Sequence, residues 1–93
     1  MRAVKEFIPV VEFYRGRIPT LPAPRNRGWQ RGGLCPFHDD NHVGNFHVNL
    51  VSGAFKCFAC GASGGDIIAF EQRRTGEEFK TVLARLAEEF RHG

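Results

Sequence analysis

Two short stretches decide the fold of this chain, Gly33-Leu34-Cys35-Pro36-Phe37-His38 and Cys57-Phe58-Ala59-Cys60-Gly61. In each stretch two residues separate a pair of possible metal ligands, and this spacing lets one tight turn direct both side chains at a single ion. Three thiolates and one imidazole complete a tetrahedral zinc shell, which leaves no open position for a substrate or a water. The sequence therefore predicts one structural Zn²⁺ held by Cys35, His38, Cys57 and Cys60.

Three other assignments of these residues stay open. Cys57 and Cys60 alone could form a redox pair, but no β-α-β pattern surrounds them and Cys35 would then have no role. Iron could occupy the site, although a ligand set that includes an imidazole favours zinc. His42 could replace His38 at an irregular spacing, and its simpler interpretation is a polar loop residue.

The chain between the two ligand pairs is predicted to form an antiparallel hairpin. Over residues 46–51, apolar side chains stand at every second position, which is the period of a strand. The other pieces of this predicted sheet are a turn over 51–54, a return strand over 55–58 and a strand over 29–34 that leads into the first ligand pair.

Helices are predicted on both sides of the sheet. A short helix is expected over about Pro9–Arg15, since proline suits a first helical turn. Residues 66–74 form a second helix, and residues 79–90 form an amphipathic third one that follows a capping box opened by Thr75. Val4, Phe7, Ile8 and Val11 have the spacing of one apolar helical face, but Pro9 interrupts it, so a looser turn is expected before the helix. The fold class is therefore a small α+β zinc ribbon, a short antiparallel sheet flanked by N-terminal and C-terminal helices.

The segment 15–33 is rich in arginine, proline and glycine and is predicted to be a long loop. It is either a solvated linker or a basic arm that contacts phosphates, and the sequence does not separate the two. The whole chain carries 13 Lys+Arg against 10 Asp+Glu, a formal charge of +3. That excess permits nucleic-acid binding without demonstrating it.

The length of 93 residues fits one small domain, so residues 1–93 are predicted to be a single unit. So small a core gains from a structural metal. Charged residues interrupt any apolar run near the start, and no stretch approaches a membrane span. We therefore expect a cytoplasmic protein without a membrane partner, where thiols stay reduced.

One face of the predicted sheet mixes aromatic, cationic and hydrogen-bonding side chains. Aromatic side chains stack on unpaired bases, and cations follow phosphates. The alternative is that the two aromatic residues belong to the core under the helices. Arg73 and Arg74 are predicted to be solvated helix charges. The candidate nucleic-acid-binding residues are Trp29, Arg31, His47, Asn49, Lys56 and Phe58.

Five segments together resemble a known family. They are residues 33–38, residues 45–48 (Asn-Phe-His-Val), residues 57–66 (Cys-Phe-Ala-Cys-Gly-Ala-Ser-Gly-Gly-Asp), and the helical segments 8–13 and 79–88. This pattern resembles the N-terminal zinc-binding domain of bacterial, phage and plasmid DNA primases. The similarity covers most of the chain apart from the basic loop.

The resemblance implies a module that contacts single-stranded template and assists primer synthesis. It places the zinc ligands on the same four residues and puts template-facing positions near Arg31, Lys56 and Phe58. Residues 39–44 read Asp-Asp-Asn-His-Val-Gly where the family has a Glu-Lys-Thr-Pro-like stretch, and two acids there argue against a phosphate grip.

The family's acidic, magnesium-binding catalytic domain has no counterpart in this sequence. We therefore expect no enzymatic activity from the chain itself and a separate polymerase, primase or helicase subunit as its partner, in plasmid, phage or mobile-element replication. Met1 favours a stand-alone subunit over a fragment. The alternative function is a protein-interaction module that docks a replication partner without binding DNA, and the oligomeric state is left open.

Overall fold

A computed structural model describes residues 8–25, 28–39 and 41–90, so Val4 and Phe7 of the predicted apolar face lie outside it. It confirms a small α+β fold with three helices and a four-stranded antiparallel sheet. No helix in these three ranges is long and apolar enough to cross a membrane. The elements are α1 (Val10–Arg17), β1 (Trp29–Arg31), β2 (Phe46–Asn49), β3 (Phe55–Cys57), β4 (Ser63–Gly64), α2 (Ile67–Thr75) and α3 (Phe79–Glu89).

The sheet follows chain order, β1-β2-β3-β4, and every neighbouring pair is antiparallel. Gln30 stands opposite Val48, and Val48 stands opposite Phe55, so these three side chains form one buried row. Because side chains alternate along a strand, the residues between them point to the opposite, outer face. Strand β1 ends at Arg31, earlier than the predicted residue 34. Gly33 takes a positive φ of 83°, which is not a strand conformation.

The core centres on the ring of Phe70 from α2, which is completely buried. It contacts rings from α1, from the sheet and from the first ligand turn. The hydroxyl of Tyr14 also donates a hydrogen bond to the carbonyl of Gly53, which ties α1 to the turn between β2 and β3. The ring centroids around Phe70 lie at 5.7 Å for Phe13, 4.9 Å for Tyr14, 5.1 Å for Phe37 and 5.3 Å for Phe55.

The cap of α2 and the start of α3 show one prediction that failed. Asp66 caps α2, because its side chain accepts a 2.9 Å hydrogen bond from the backbone N–H of Ala69. The capping box at Thr75 was wrong. Thr75 is the last residue of α2, Gly76 ends that helix in the left-handed conformation, and Glu78 precedes α3 without a side-chain cap.

The basic loop also starts later than predicted. Helix α1 runs through Arg17, so the first residues assigned to the loop are helical. Contacts of Arg17 stabilise this last turn of α1, because its guanidinium stacks 4.5 Å from the ring centroid of Phe13 and pairs with Glu89 at 2.6 Å. The remainder up to Arg25 is irregular, as expected.

A buried carboxylate joins all three helices. Glu71 is 0% exposed and pairs with Arg17 at 3.1 Å, Arg74 at 2.7 Å and Arg85 at 2.9 Å. Burial alone would raise the pKa of Glu71, but hydrogen bonds from the three arginines outweigh it and lower the pKa to about 2. The interpretation of Arg74 as a merely solvated charge was therefore wrong.

Gly64 makes the closest backbone approach in the sheet. A Cβ at this position would lie 2.5 Å from Cε1 of Phe55 and 2.8 Å from Cβ of Ala69. We expect Gly64→Ala to lower the free energy of unfolding by about 2 kcal/mol, because a packed core resists added volume. Urea denaturation followed by circular dichroism measures this, with Gly65→Ala as control, since a Cβ there meets nothing within 4 Å. Equal stabilities for the two variants would contradict the prediction.

Candidate metal centre and nucleic-acid face

The structure brings together the four residues predicted to bind zinc. One ligand atom from each lies within 4.8 Å of all the others. The Sγ atoms of Cys35 and Cys60 are 3.8 Å apart, and Sγ of Cys57 is 3.4 Å from Nε2 of His38. A tetrahedral zinc with Zn–S bonds of about 2.3 Å spaces its sulfur ligands about 3.8 Å apart. The donor set and the spacing therefore both fit Zn²⁺.

Two turns place these side chains. The first follows β1, where the backbone N–H of Phe37 points at Sγ of Cys35 at 3.4 Å. The second begins at Cys57, the last residue of β3, and closes when the N–H of Gly61 donates to the Cys57 carbonyl at 3.0 Å. Gly61 takes a φ of 81°, a left-handed conformation that favours glycine, and this explains why a glycine follows the second ligand pair.

The thiols differ in electrostatics because of burial and backbone dipoles. Burial raises the pKa of Cys35 to about 12, and the nearby thiols add to this. Burial also opposes ionisation of Cys57, but backbone N–H groups of Cys60 and Ala59 and the imidazole of His38 outweigh it and lower the pKa of Cys57 to about 7. A divalent cation among them favours the thiolate form of every cysteine ligand.

The alternatives for this cluster can be compared with the geometry. His38, not His42, stands in the four-residue group, and His42 has an exposed side chain in the loop that follows. Cys57 and Cys60 are not an isolated pair, since Sγ of Cys35 lies next to Sγ of Cys60. The geometry thus favours one shared metal over a two-cysteine redox site.

The outer face of the sheet carries the predicted nucleic-acid residues in register. Arg31 stands opposite His47, and His47 stands opposite Lys56, so the three form a row across β1, β2 and β3. Trp29 stands opposite Asn49 in the neighbouring row. Asn49 also stabilises the turn between β2 and β3, because its Oδ1 accepts hydrogen bonds from the backbone N–H groups of residues 51 and 52.

Aromatic side chains give this face a groove, which we call the outer groove and which is lined by Trp29, His47, Lys56 and Phe58. Trp29 is 49% exposed and Phe58 is 66% exposed, so the alternative that they are core residues was wrong. Nζ of Lys56 lies 5.1 Å from the ring centroid of Phe58. The ring of His47 is half-buried and meets Phe58 edge-on with centroids 5.4 Å apart.

Comparison with known proteins decides the family. Residues 3–93 match the family described as the CHC2 zinc finger. The chain belongs to the CHC2 zinc-finger family. A DNA primase of Thermotoga maritima is 44% identical over 84 residues, and one of Mycolicibacterium smegmatis is 45% identical over 56 residues.

A solved structure shares the fold of this CHC2 zinc finger. The zinc-binding and RNA polymerase domains of Aquifex aeolicus primase match 96% of the chain with a TM-score of 0.71 and 26% identity. The matched region is 21% of that chain, and it is 14% of the Thermotoga and 8% of the Mycolicibacterium primase. The chain thus spans a small fraction of the length of these relatives, in the zinc-binding part.

These findings confirm the resemblance to the primase zinc-binding domain, and with it one structural Zn²⁺ as the cofactor of this CHC2 zinc finger. Sequence reasoning missed one contributor near the site, Arg73, which lies over the ring of Phe37 in the first ligand turn at 5.9 Å. Arg25 belongs to the segment predicted to be either a linker or a phosphate-contacting arm, and it lines a cavity together with Arg31. Only the three-dimensional packing distinguishes these two arginines from the others.

Proposed function

We propose that this CHC2 zinc finger binds single-stranded DNA template on the outer face of its sheet and assists primer synthesis. One observation carries the proposal: the outer groove sets two exposed aromatic rings beside a lysine and a histidine on one face of the sheet. Unpaired bases stack on aromatic rings, and the adjoining cations attract the phosphates between them. Relatives named DNA primases support the same role.

The metal serves this surface as a scaffold. We infer that zinc joins the turn after β1 to the end of β3, through Cys35, His38, Cys57 and Cys60. Lys56 and Phe58 flank Cys57 directly, so the position of the second ligand pair sets the position of the groove. A closed shell of four protein ligands leaves zinc no catalytic role. The ion therefore acts by fixing where the template-contacting side chains stand.

We propose that a separate domain or subunit carries out the polymerase chemistry. The Aquifex structure joins a zinc-binding part to an RNA polymerase domain, and this chain matches the first of these. We propose that residues 1–93 form one accessory domain, itself non-catalytic, that works in the cytoplasm with a primase, polymerase or helicase subunit. The ion pairs of Glu71 support a single unit, since they tie α1 to α2 and α3.

Phe58→Ala tests the template proposal. Base stacking on one aromatic side chain contributes about 1–3 kcal/mol, so we expect the variant to bind a short single-stranded oligonucleotide about tenfold more weakly. Fluorescence anisotropy at low salt gives the dissociation constants. Phe79→Ala is the matched control, because Phe79 is also exposed but lies at the start of α3.

Equal affinity of the Phe58→Ala variant and the wild type would contradict stacking in the outer groove. The alternative function, a protein-interaction module without DNA contact, predicts no binding by the wild type at any protein concentration up to high micromolar. It also predicts that binding of a purified polymerase or helicase partner survives Phe58→Ala. The exposed Phe79 and Val51 are the surface features that favour this alternative.

A further inference from the structure

A second concavity lies beside β1, at one edge of the sheet. It has a volume of about 340 Å³, and its walls come from the basic loop, from β1 and from the loop before β2. We call it the edge cavity, lined by Pro22, Arg25, Gln30, Arg31 and Val43. We propose that the edge cavity binds a phosphate group of a nucleic-acid strand or nucleotide, held jointly by Arg25 and Arg31.

A buried amide sets the positions of the two arginines. Gln30 is only 7% exposed. Its Oε1 accepts a 2.9 Å hydrogen bond from the backbone N–H of Arg25, and its Nε2 donates to the carbonyl of Arg31 at 3.3 Å. The side chain of Gln30 thus joins the basic loop to β1 through the backbone of Arg25 and of Arg31, the two residues that carry the guanidinium groups. Such preorganisation lowers the ordering cost of binding.

The charges at this cavity are available to a ligand. Three arginines of the helices, Arg17, Arg74 and Arg85, form ion pairs with carboxylates. Within residues 8–25, 28–39 and 41–90, neither Arg25 nor Arg31 forms one, and both side chains are exposed. Guanidinium groups bind phosphate oxygens in a bidentate manner, so two of them at one cavity match a phosphate.

The edge cavity adjoins the outer groove. Arg31 lines the cavity and also stands in the cross-strand row with His47 and Lys56. A strand whose base stacks on Phe58 can therefore reach Arg31 with a neighbouring phosphate. This inference rests on the proposed template binding, because it extends the path of the same strand to the sheet edge.

The test compares Arg25→Gln, Arg31→Gln and the double variant in oligonucleotide binding over a range of salt concentrations. If both arginines share one phosphate, each single variant should bind about fivefold more weakly and reduce the slope of log K against log salt by about 0.7. The double variant should then lose little more than either single variant. Lys80→Gln, which removes one charge from α3, should leave affinity and slope nearly unchanged.

Gln30→Met separates positioning from charge. It removes the acceptor for Arg25 without altering net charge, and we expect it to reduce the salt slope as the arginine variants do. Circular dichroism checks that the variant folds, and if it does not, the arginine variants decide alone. Unchanged slopes in all the arginine variants, or fully additive losses in the double variant, overturn the shared phosphate site.

Competition with ATP identifies the source of the phosphate. If ATP displaces the oligonucleotide from the wild type but not from the double variant, the edge cavity binds a nucleoside triphosphate. No displacement indicates an internal phosphate of the strand. If Phe58→Ala weakens binding while the arginine variants do not, the edge cavity is refuted and template binding stands. If the wild type binds neither DNA nor ATP, both proposals fail.

Discussion

His38→Asn is expected to lose the bound zinc and most of the folded sheet, whereas His42→Asn should retain both. Metal analysis should find about one zinc in the wild type and in His42→Asn, and far less in His38→Asn. The free energy of zinc binding in small domains is about 10 kcal/mol or more, which matches or exceeds the whole stability of a typical domain. Losing a ligand therefore costs most of what keeps the sheet folded.

The pair of histidine variants also separates the two ligand assignments. His38 stands in the cluster with Nε2 beside Sγ of Cys57, and His42 is exposed in the loop after it. Cys57→Ser should behave as His38→Asn does, since Cys57 is completely buried and belongs to the same four-residue group. A chelator should lower the folded-state circular dichroism signal of the wild type in the same way. Full zinc in His38→Asn would show that the ligand set is wrong.

Glu71→Gln is expected to lower the free energy of unfolding by about 3 kcal/mol, the usual effect of removing one partner of a buried ion pair. The amide keeps the shape of the side chain but leaves Arg17, which is nearly buried, with Glu89 as its remaining acidic partner. Chemical denaturation of the zinc-loaded protein measures the loss. Glu78→Gln is the control, because Glu78 is exposed and makes no side-chain cap, and it should change stability by less than about 0.5 kcal/mol.

The pH dependence of stability gives this prediction a second measurement. The folded-state pKa of Glu71 is lowered from 4.5 to about 2, so its contribution is fully present above pH 4.5 and is lost as pH falls toward 2. Acid also releases zinc and with it the folded sheet, so the comparison is made only at pH values where metal analysis still finds one zinc in both proteins. Over that range the wild type should lose stability as pH falls toward and below 4.5, and Glu71→Gln should lose less. Parallel pH profiles would contradict a role for the charge.

The metal cluster could be predicted from the sequence because each half of it is local. Two residues between ligands define a turn, and the alternation of Phe46 and Val48 with polar neighbours defines the strand that joins the turns. The same alternation correctly assigned Lys56 to the face it shares with His47. Local periodicity was sufficient for these features, since strand pairing follows from a short hairpin.

The Glu71 cluster could not be predicted, because its partners are distant in sequence. Arg17 lies 54 positions earlier, and nothing in the segment 67–75 distinguishes a buried carboxylate from an exposed one. The capping box failed for a related reason. Thr75 and Glu78 have the right spacing, but Gly76 adopts the left-handed conformation that ends the preceding helix, so the residues before Glu78 complete a turn between helices.

Strand β4 was also missed. Gly64 pairs with Phe55 and lies against its ring. A two-residue strand has too few side chains to show a period, so pattern reasoning has no signal to detect. Position 64 requires a residue without a side chain because the ring of Phe55 occupies the space that a Cβ would fill. The sequence alone does not show where that ring lies.

In the proposed template role, the row formed by Arg31, His47 and Lys56 limits how many nucleotides can lie on this face. Neighbouring strands are about 4.8 Å apart, so the row is about 10 Å wide and has room for only a few nucleotides. So small a footprint implies rapid release of any one template site. Physical linkage to a second DNA-binding unit would raise the effective concentration of the strand and convert brief contacts into sustained occupancy. In the proposed role, a domain linked in this way would release and rebind successive template positions while the second unit keeps the strand nearby.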